Sequence, residues 1–187
     1  MRANPARLWS RVLDEGVFEN SGLKSITVPK GLCSDEDLWV KAFINCKSLK
    51  TAVIAEGVDA ISKYAFYGCD ALESVTIPSS IAKIEEYAFS GCKMLKNVVI
   101  PASVVNIEQY AFEDCVSLKS VTIHKATYLA HAVFSGTAVD VNVETSFYFT
   151  IATWAVGSEN NYDQNWHSGC SGKIVYDYVE SSGSDER

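Results

Sequence analysis

One phrase, Ala-Phe-x-x-Cys, recurs four times in register, beginning at Ala42, Ala65, Ala88 and Ala111. Leu49, Leu72, Leu95 and Leu118 recur with it, each 23 residues from the next. This period constrains the chain more than any other feature. A unit of 23 residues cannot close a core alone. Its Leu, Val, Ile and Phe must stack on the same residues of the next unit, which makes a solenoid.

Each unit has two parts. The first reads as a strand: Leu72–Ile77, Leu95–Ile100 and Leu118–Ile123. Val75 and Ile77 alternate with Thr76, a period of two carried by β-branched residues. Pro78 and Pro101 follow, and proline has no N–H to continue a ladder. The second part brings the chain back: Ile84–Phe89 and Ile107–Phe112 space Ile, Ala and Phe near a helical turn. This predicts a short helical or 3₁₀ return, with Gly68 and Gly91 at positive φ behind it. The ends are less regular. Val17 and Phe18 read as the tail of an incomplete first unit, and Leu23–Val28 as a full strand. The step from Leu23 to Leu49 is three residues longer, so an insertion falls near 30–40, with an acidic Ser-Asp-Glu-Asp loop. After Ile123 the unit shortens, Thr137 replaces the cysteine, and Ala138–Val143 gives a sixth strand. The fold class that follows is an α/β solenoid, right-handed. It has a parallel sheet of about six short strands on one face and helical or 3₁₀ returns on the other.

Pattern and composition divide the chain into three: a solenoid over 1–143, an aromatic-rich cap over 144–179 and a disordered tail over 180–187. The cap carries Phe147, Trp154, Tyr162 and Trp166, which suit covering the open apolar end of the last coil or forming a sugar- or peptide-binding platform. A net charge of −7 disfavours a nucleic-acid partner, which would want clustered Lys and Arg. No apolar run approaches the ~20 residues of a membrane span. The first residues carry positive charge without an apolar stretch, so they do not read as an export signal as written.

The pattern Leu-x-x-Val-x-Ile-Pro…Ile-x-x-x-Ala-Phe-x-Gly-Cys at this period resembles the BspA-type (Treponema pallidum-type) leucine-rich repeat, over about residues 8–143. The segment from Asn161 through Trp166 to Cys170, followed by Ile174–Tyr176, is similar to a Trp-rich closing segment that often follows such arrays. The resemblance implies a cell-surface or secreted bacterial or protist protein that binds host or microbial macromolecules, with no catalytic residue. Surface members carry an export signal and an anchor, and neither is read in this chain.

Four cysteines, Cys46, Cys69, Cys92 and Cys115, share one repeat position. Their expected state is a ladder of small buried thiols, although stacked coils bring their Cα atoms within disulfide range. No zinc spacing occurs among them, and no metal or cofactor is expected. His167 and Cys170 form a lone His-x-x-Cys pair, too few ligands for a site. Cys33 lies in the insertion loop, where acidic neighbours raise a thiol pKa. His124 replaces the strand-ending proline and is expected at a strand end. Glu85 and Glu86 read as a solvated edge rather than a carboxylate pair. Tyr64, Tyr87 and Tyr110 share a position and read as a partly buried column, with Tyr67 elsewhere.

Binding is expected on the outward strand residues. The central column is Thr27, Val53, Thr76, Val99, Thr122 and Asn142, and beside it run Ser25, Thr51, Ser74, Asn97, Ser120 and Asp140. Small hydroxyl and β-branched residues fit plain strand propensity, and equally an extended surface for a protein or glycan ligand. Lys24, Lys50, Lys96 and Lys119 line the edge of this face, interrupted by Glu73. Non-enzymatic, adhesin-like recognition is the leading reading. A structural spacer of a larger surface protein is the second, and a hydrolase using His167 in the cap the third. An uncapped edge near Leu8–Val12 also suggests self-association.

Overall fold

The computed structural model describes residues 16–30, 41–124, 127–137, 140–144 and 174–177, the last two segments as backbone. Its longer strands are the alternating β-branched segments. In chain order the strands are β1 (Ser25–Val28), β2 (Thr51–Ile54), β3 (Ala60–Ile61), β4 (Ser74–Thr76), β5 (Lys83–Ile84), β6 (Asn97–Val99), β7 (Asn106–Ile107), β8 (Ser120–His124), β9 (Tyr128–Leu129), β10 (Asp140–Glu144) and β11 (Ile174–Asp177).

The long strands form the sheet face in the order β1-β2-β4 and then β6-β8-β10-β11, all parallel. The two-residue strands β3-β5-β7-β9 form a second, narrow parallel sheet. Register follows the repeat: Thr51 pairs with Ser74 and Asn97 with Ser120. The irregular units keep it too, since Ser25 pairs with Thr51 across the insertion and Ser120 with Asp140 across the shortened unit. Beyond the sixth strand the sequence indicated, β11 adds another, contributed by the segment after 144.

Inside the coils, Phe43, Phe66, Phe89, Phe112 and Phe134 are fully buried. Starting from half-buried Phe18, their rings form one parallel stack, with centroids 5.2, 5.3, 5.3, 5.2 and 5.6 Å apart. Leu49, Leu72, Leu95 and Leu118 lie in the same core, with Ile61, Ile84 and Ile107 behind the narrow sheet. The inward assignments of the sequence pattern hold wherever residues are described.

The returns differ from expectation. No continuous helix forms among the described residues. Backbone N–H groups alternate between two kinds of partner. Ala65, Tyr67 and Cys69 donate to carbonyls three residues back (Ser62, Tyr64, Phe66), while Tyr64, Phe66 and Gly68 donate to Glu86, Ala88 and Ser90 of the next coil. Half of the groups a helix would use within itself thus hold neighbouring coils together. The switch rests on two left-handed residues per coil. Gly16, Lys41, Tyr64, Tyr87, Tyr110 and Ala132 fill the first position; Asn20, Asn45, Gly68, Gly91, Asp114 and Gly136 fill the second. The second position is the one where the pattern anticipated glycine. The first is held mostly by residues for which positive φ costs about 1–2 kcal/mol each, which the intercoil bonds and ring stacking offset.

Several expectations fall outside the described residues: the insertion loop with Cys33, the edge at Leu8–Val12, the cap aromatics with His167 and Cys170, and the tail over 180–187.

Candidate recognition face

Strand alternation divides each coil into a core side and a solvent side. Thr27, Val53, Thr76 and Val99 are exposed, while Val28, Ala52, Ile54 and Val98 are buried. Register places Thr27 beside Val53 and Val53 beside Thr76, then Val99 beside Thr122 and Thr122 beside Asn142. The second column aligns likewise: Ser25, Thr51 and Ser74, then Asn97, Ser120 and Asp140. Thr122 and Ser120 are half-buried, and the Ser120 hydroxyl donates to Asn97 Oδ1 at 2.9 Å. Asn142 and Asp140 are placed in their columns by strand register.

Two hydrophobic side chains stand well clear of this face. Val99 is 69% exposed and Val53 42%. Val53 sits on the central strand of β1-β2-β4, and Val99 on β6, the end strand of β11-β10-β8-β6. Met94 and Val116, also exposed, lie on the approach to β6 and β8. The sequence reading did not single them out. A signal exists for Val116, which stands at the repeat position of Lys47, Asp70 and Lys93 and breaks an otherwise charged column.

The face is not one continuous ladder. β4 and β6 lie side by side but belong to different hydrogen-bonded sheets. The backbone N–H groups of Lys50, Glu73 and Lys119 donate to Lys24, Lys50 and Lys96 of the preceding coil, each at 2.8 Å, while the corresponding bond from Lys96 to Glu73 is absent.

Charge is unevenly distributed. Lys50 pairs with Glu73 at 3.1 Å, so the interruption of the lysine stripe is an ion pair within it. Lys24, Lys96 and Lys119 are exposed and pair with no carboxylate among the described residues. Away from this edge several carboxylates have partners, while Asp59 and Asp114 are exposed. Asp70 meets Lys47 (2.9 Å) and Lys93 (3.5 Å); burial raises the Asp70 pKa, but the two ammonium groups outweigh it and hold the carboxyl below its usual value. Glu85 and Glu86 stay partly exposed and also bind the preceding coil. Glu85 accepts the Lys63 backbone N–H at 2.9 Å, and Glu86 pairs with the Lys63 ammonium group, whose pKa that contact raises. Glu108 repeats the arrangement one coil on, accepting the Glu86 N–H at 3.3 Å and meeting Lys83 at 2.8 Å.

The titratable groups that invite a chemical reading make contacts between coils. Cys46, Cys69, Cys92 and Cys115 are free, unbridged thiols buried in a row. Each thiol donates to a Phe carbonyl of the preceding coil: Phe18, Phe43, Phe66 and Phe89, at 2.9, 3.1, 3.3 and 3.1 Å. Burial, with Cys115 alongside, pushes the Cys92 thiol well above its ordinary value. The tyrosine column is also present: Tyr64, Tyr87 and Tyr110 stack at 5.1 and 5.0 Å, with His131 edge-on to Tyr110 at 5.8 Å. His124 ends β8, as its proline-replacing position suggested. Among the described residues no three of His, Cys, Asp and Glu gather to hold a metal ion, and no helix is long and apolar enough to cross a membrane.

The family model of the BspA type leucine rich repeat region matches residues 11–140, in six copies. The chain belongs to the BspA-type leucine-rich repeat family. No curated protein matches it significantly. Among solved structures it is similar to a leucine rich cell surface protein of Faecalibacterium prausnitzii, at 25% identity and a TM-score of 0.56, over 71% of this chain and 34% of that one. It is also similar in fold to the pneumococcal vaccine antigen PcpA, at 21% identity and a TM-score of 0.59, over 88% of this chain and 43% of that one. This BspA-type chain therefore spans less than half the length of either protein. The strand that faces solvent in each BspA-type coil is the one carrying the columns described above.

Proposed function

We propose that this chain binds a macromolecular ligand, protein or glycan, through its sheet face, without catalysis and at a cell surface. The observation that carries the reading is the register. It aligns Thr27, Val53 and Thr76 in one column and Val99, Thr122 and Asn142 in a second, the two meeting where β4 lies beside β6, with Val53 and Val99 exposed. Solenoids use such extended faces for large partners. The surface location is supported by the similarity to the Faecalibacterium cell surface protein. Small hydroxyls on an open sheet offer neither a base nor an enclosed pocket, so recognition suits this face better than a reaction.

The test compares wild type with Val53→Glu/Thr76→Glu/Val99→Glu in affinity capture from host-cell and matrix extracts. These side chains are exposed, so the variant is expected to fold. A partner retained by wild type and lost by the variant supports the reading. Equal capture by both refutes the face as the site. A second reading, a structural spacer, is favoured by the fraction of each matched structure that the chain spans, 34% and 43%. Capture by neither protein supports it.

A further inference from the structure

We propose that the partner of the sheet face is an extended acidic segment of a protein, in which acidic residues alternate with aliphatic ones. This deepens the recognition reading above and rests on it. The first observation is a sorting of charge. The chain as a whole is at −7. Yet at the residue preceding each of β1, β2, β4, β6 and β8 the coils carry Lys24, Lys50, Glu73, Lys96 and Lys119, with the single carboxylate, Glu73, already held by Lys50. Elsewhere on the coils Asp70, Glu85, Glu86 and Glu108 are engaged with lysines or backbone N–H groups of neighbouring coils. Lys24 on one side of the Lys50–Glu73 pair, and Lys96 and Lys119 on the other, are therefore exposed ammonium groups with no carboxylate partner among the described residues.

The second observation is the exposed side chains Val53, Thr76 and Val99, each three residues beyond Lys50, Glu73 and Lys96 and carried by the adjacent strands β2, β4 and β6. At ~3.3 Å per residue the two rows lie about 10 Å apart. At ~4.8 Å per coil, the four steps from Lys24 to Lys119 span about 19 Å, the length of roughly six extended residues. A strand-like segment lying across the coils projects alternate side chains to opposite sides. One set then meets the lysines and the other the valines. A polysulfated glycan fits less well, because it supplies charge at every sugar and nothing apolar for Val53 and Val99.

The probe is a fluorescein-labelled peptide, (Glu-Thr-Glu-Val)₃, measured by fluorescence polarisation against the whole chain. The controls are its Lys-for-Glu counterpart and a heparin oligosaccharide of similar length. The expected result is binding of the acidic peptide, at least tenfold weaker for Lys96→Glu/Lys119→Glu and intermediate for Lys96→Gln/Lys119→Gln. It should weaken about fivefold for the uncharged Val53→Asn/Val99→Asn variant, and several-fold as salt rises from about 50 to 300 mM. Circular dichroism of each variant establishes that it is folded. Absence of binding, or equal binding of the Lys-for-Glu peptide, overturns the proposal and leaves the face reading standing. Tighter binding of heparin that ignores Val53→Asn/Val99→Asn overturns it in favour of a glycan. Acidic-peptide binding unaffected by any of these substitutions overturns both the proposal and the recognition reading.

Discussion

Truncating Phe89 tests the stacking on which the solenoid depends. Its ring is fully buried and sandwiched, 5.3 Å from Phe66 and 5.2 Å from Phe112, tilted by only 5° and 10°. A buried Phe removes ~150–250 Å² from water, and at ~25 cal/mol per Å² that is roughly 4–6 kcal/mol. Alanine keeps part of that burial, and the parallel neighbours cannot close around the gap without shifting a whole coil. Phe89→Ala is therefore expected to destabilise by about 3–5 kcal/mol. Phe18 gives the internal control, since it is only half-buried at the start of the stack, and Phe18→Ala is expected to lose about 1–2 kcal/mol. The assay is urea denaturation followed by far-UV circular dichroism. Coincidence with the tyrosine fluorescence transition checks that the coils unfold together, as nearest-neighbour coupling requires. A loss below about 1 kcal/mol for Phe89→Ala, or equal losses at the two positions, would refute the stacking argument.

Cys69 and Cys92 are expected to resist maleimide labelling in the native chain and to react on addition of urea; rapid native labelling would contradict their buried, inward placement. Burial raises the folded-state pKa of Cys92 above the ordinary thiol value of 9.0, so its contribution to stability is complete below that value and is lost as pH rises above it. The urea midpoint should fall from pH 9 upward more steeply for wild type than for Cys92→Ala, and parallel curves would contradict this. Gly68 has φ 67°, and a Cβ there would lie 2.5 Å from Asn45 Oδ1. Gly68→Ala should destabilise by about 1–2 kcal/mol, partly restored by Asn45→Gly; a neutral result in denaturation would show the left-handed position to be dispensable.

Much of the fold was legible because the repeat prints burial directly onto the sequence. Phe43, Cys46 and Leu49 recur because the same side chain meets the same neighbours in every coil. The outward column was legible for the same reason, since a residue between two buried strand positions must face solvent. The charge roles were not legible. Glu85 and Glu86 look alike in the sequence, yet Glu85 accepts a backbone N–H of the preceding coil and Glu86 holds Lys63. The difference depends on which carbonyls and N–H groups the return leaves open. The exposure of Met94 and Val116 likewise depends on how neighbouring coils approach.

By itself the sequence determined the period, the inward set of residues and the parallel order of strands, because each follows from repeating the same apolar burial at fixed spacing. The tertiary structure decided the path of the backbone between strands. Spacing near a helical turn is satisfied equally by a helix and by alternating turns, and the second wins because every other N–H can bond to the next coil. It also decided the interruption between β4 and β6 and left Lys24, Lys96 and Lys119 without a carboxylate partner among the described residues. Such features depend on pairing between residues a full coil apart, a distance at which local patterns carry burial but not partnership.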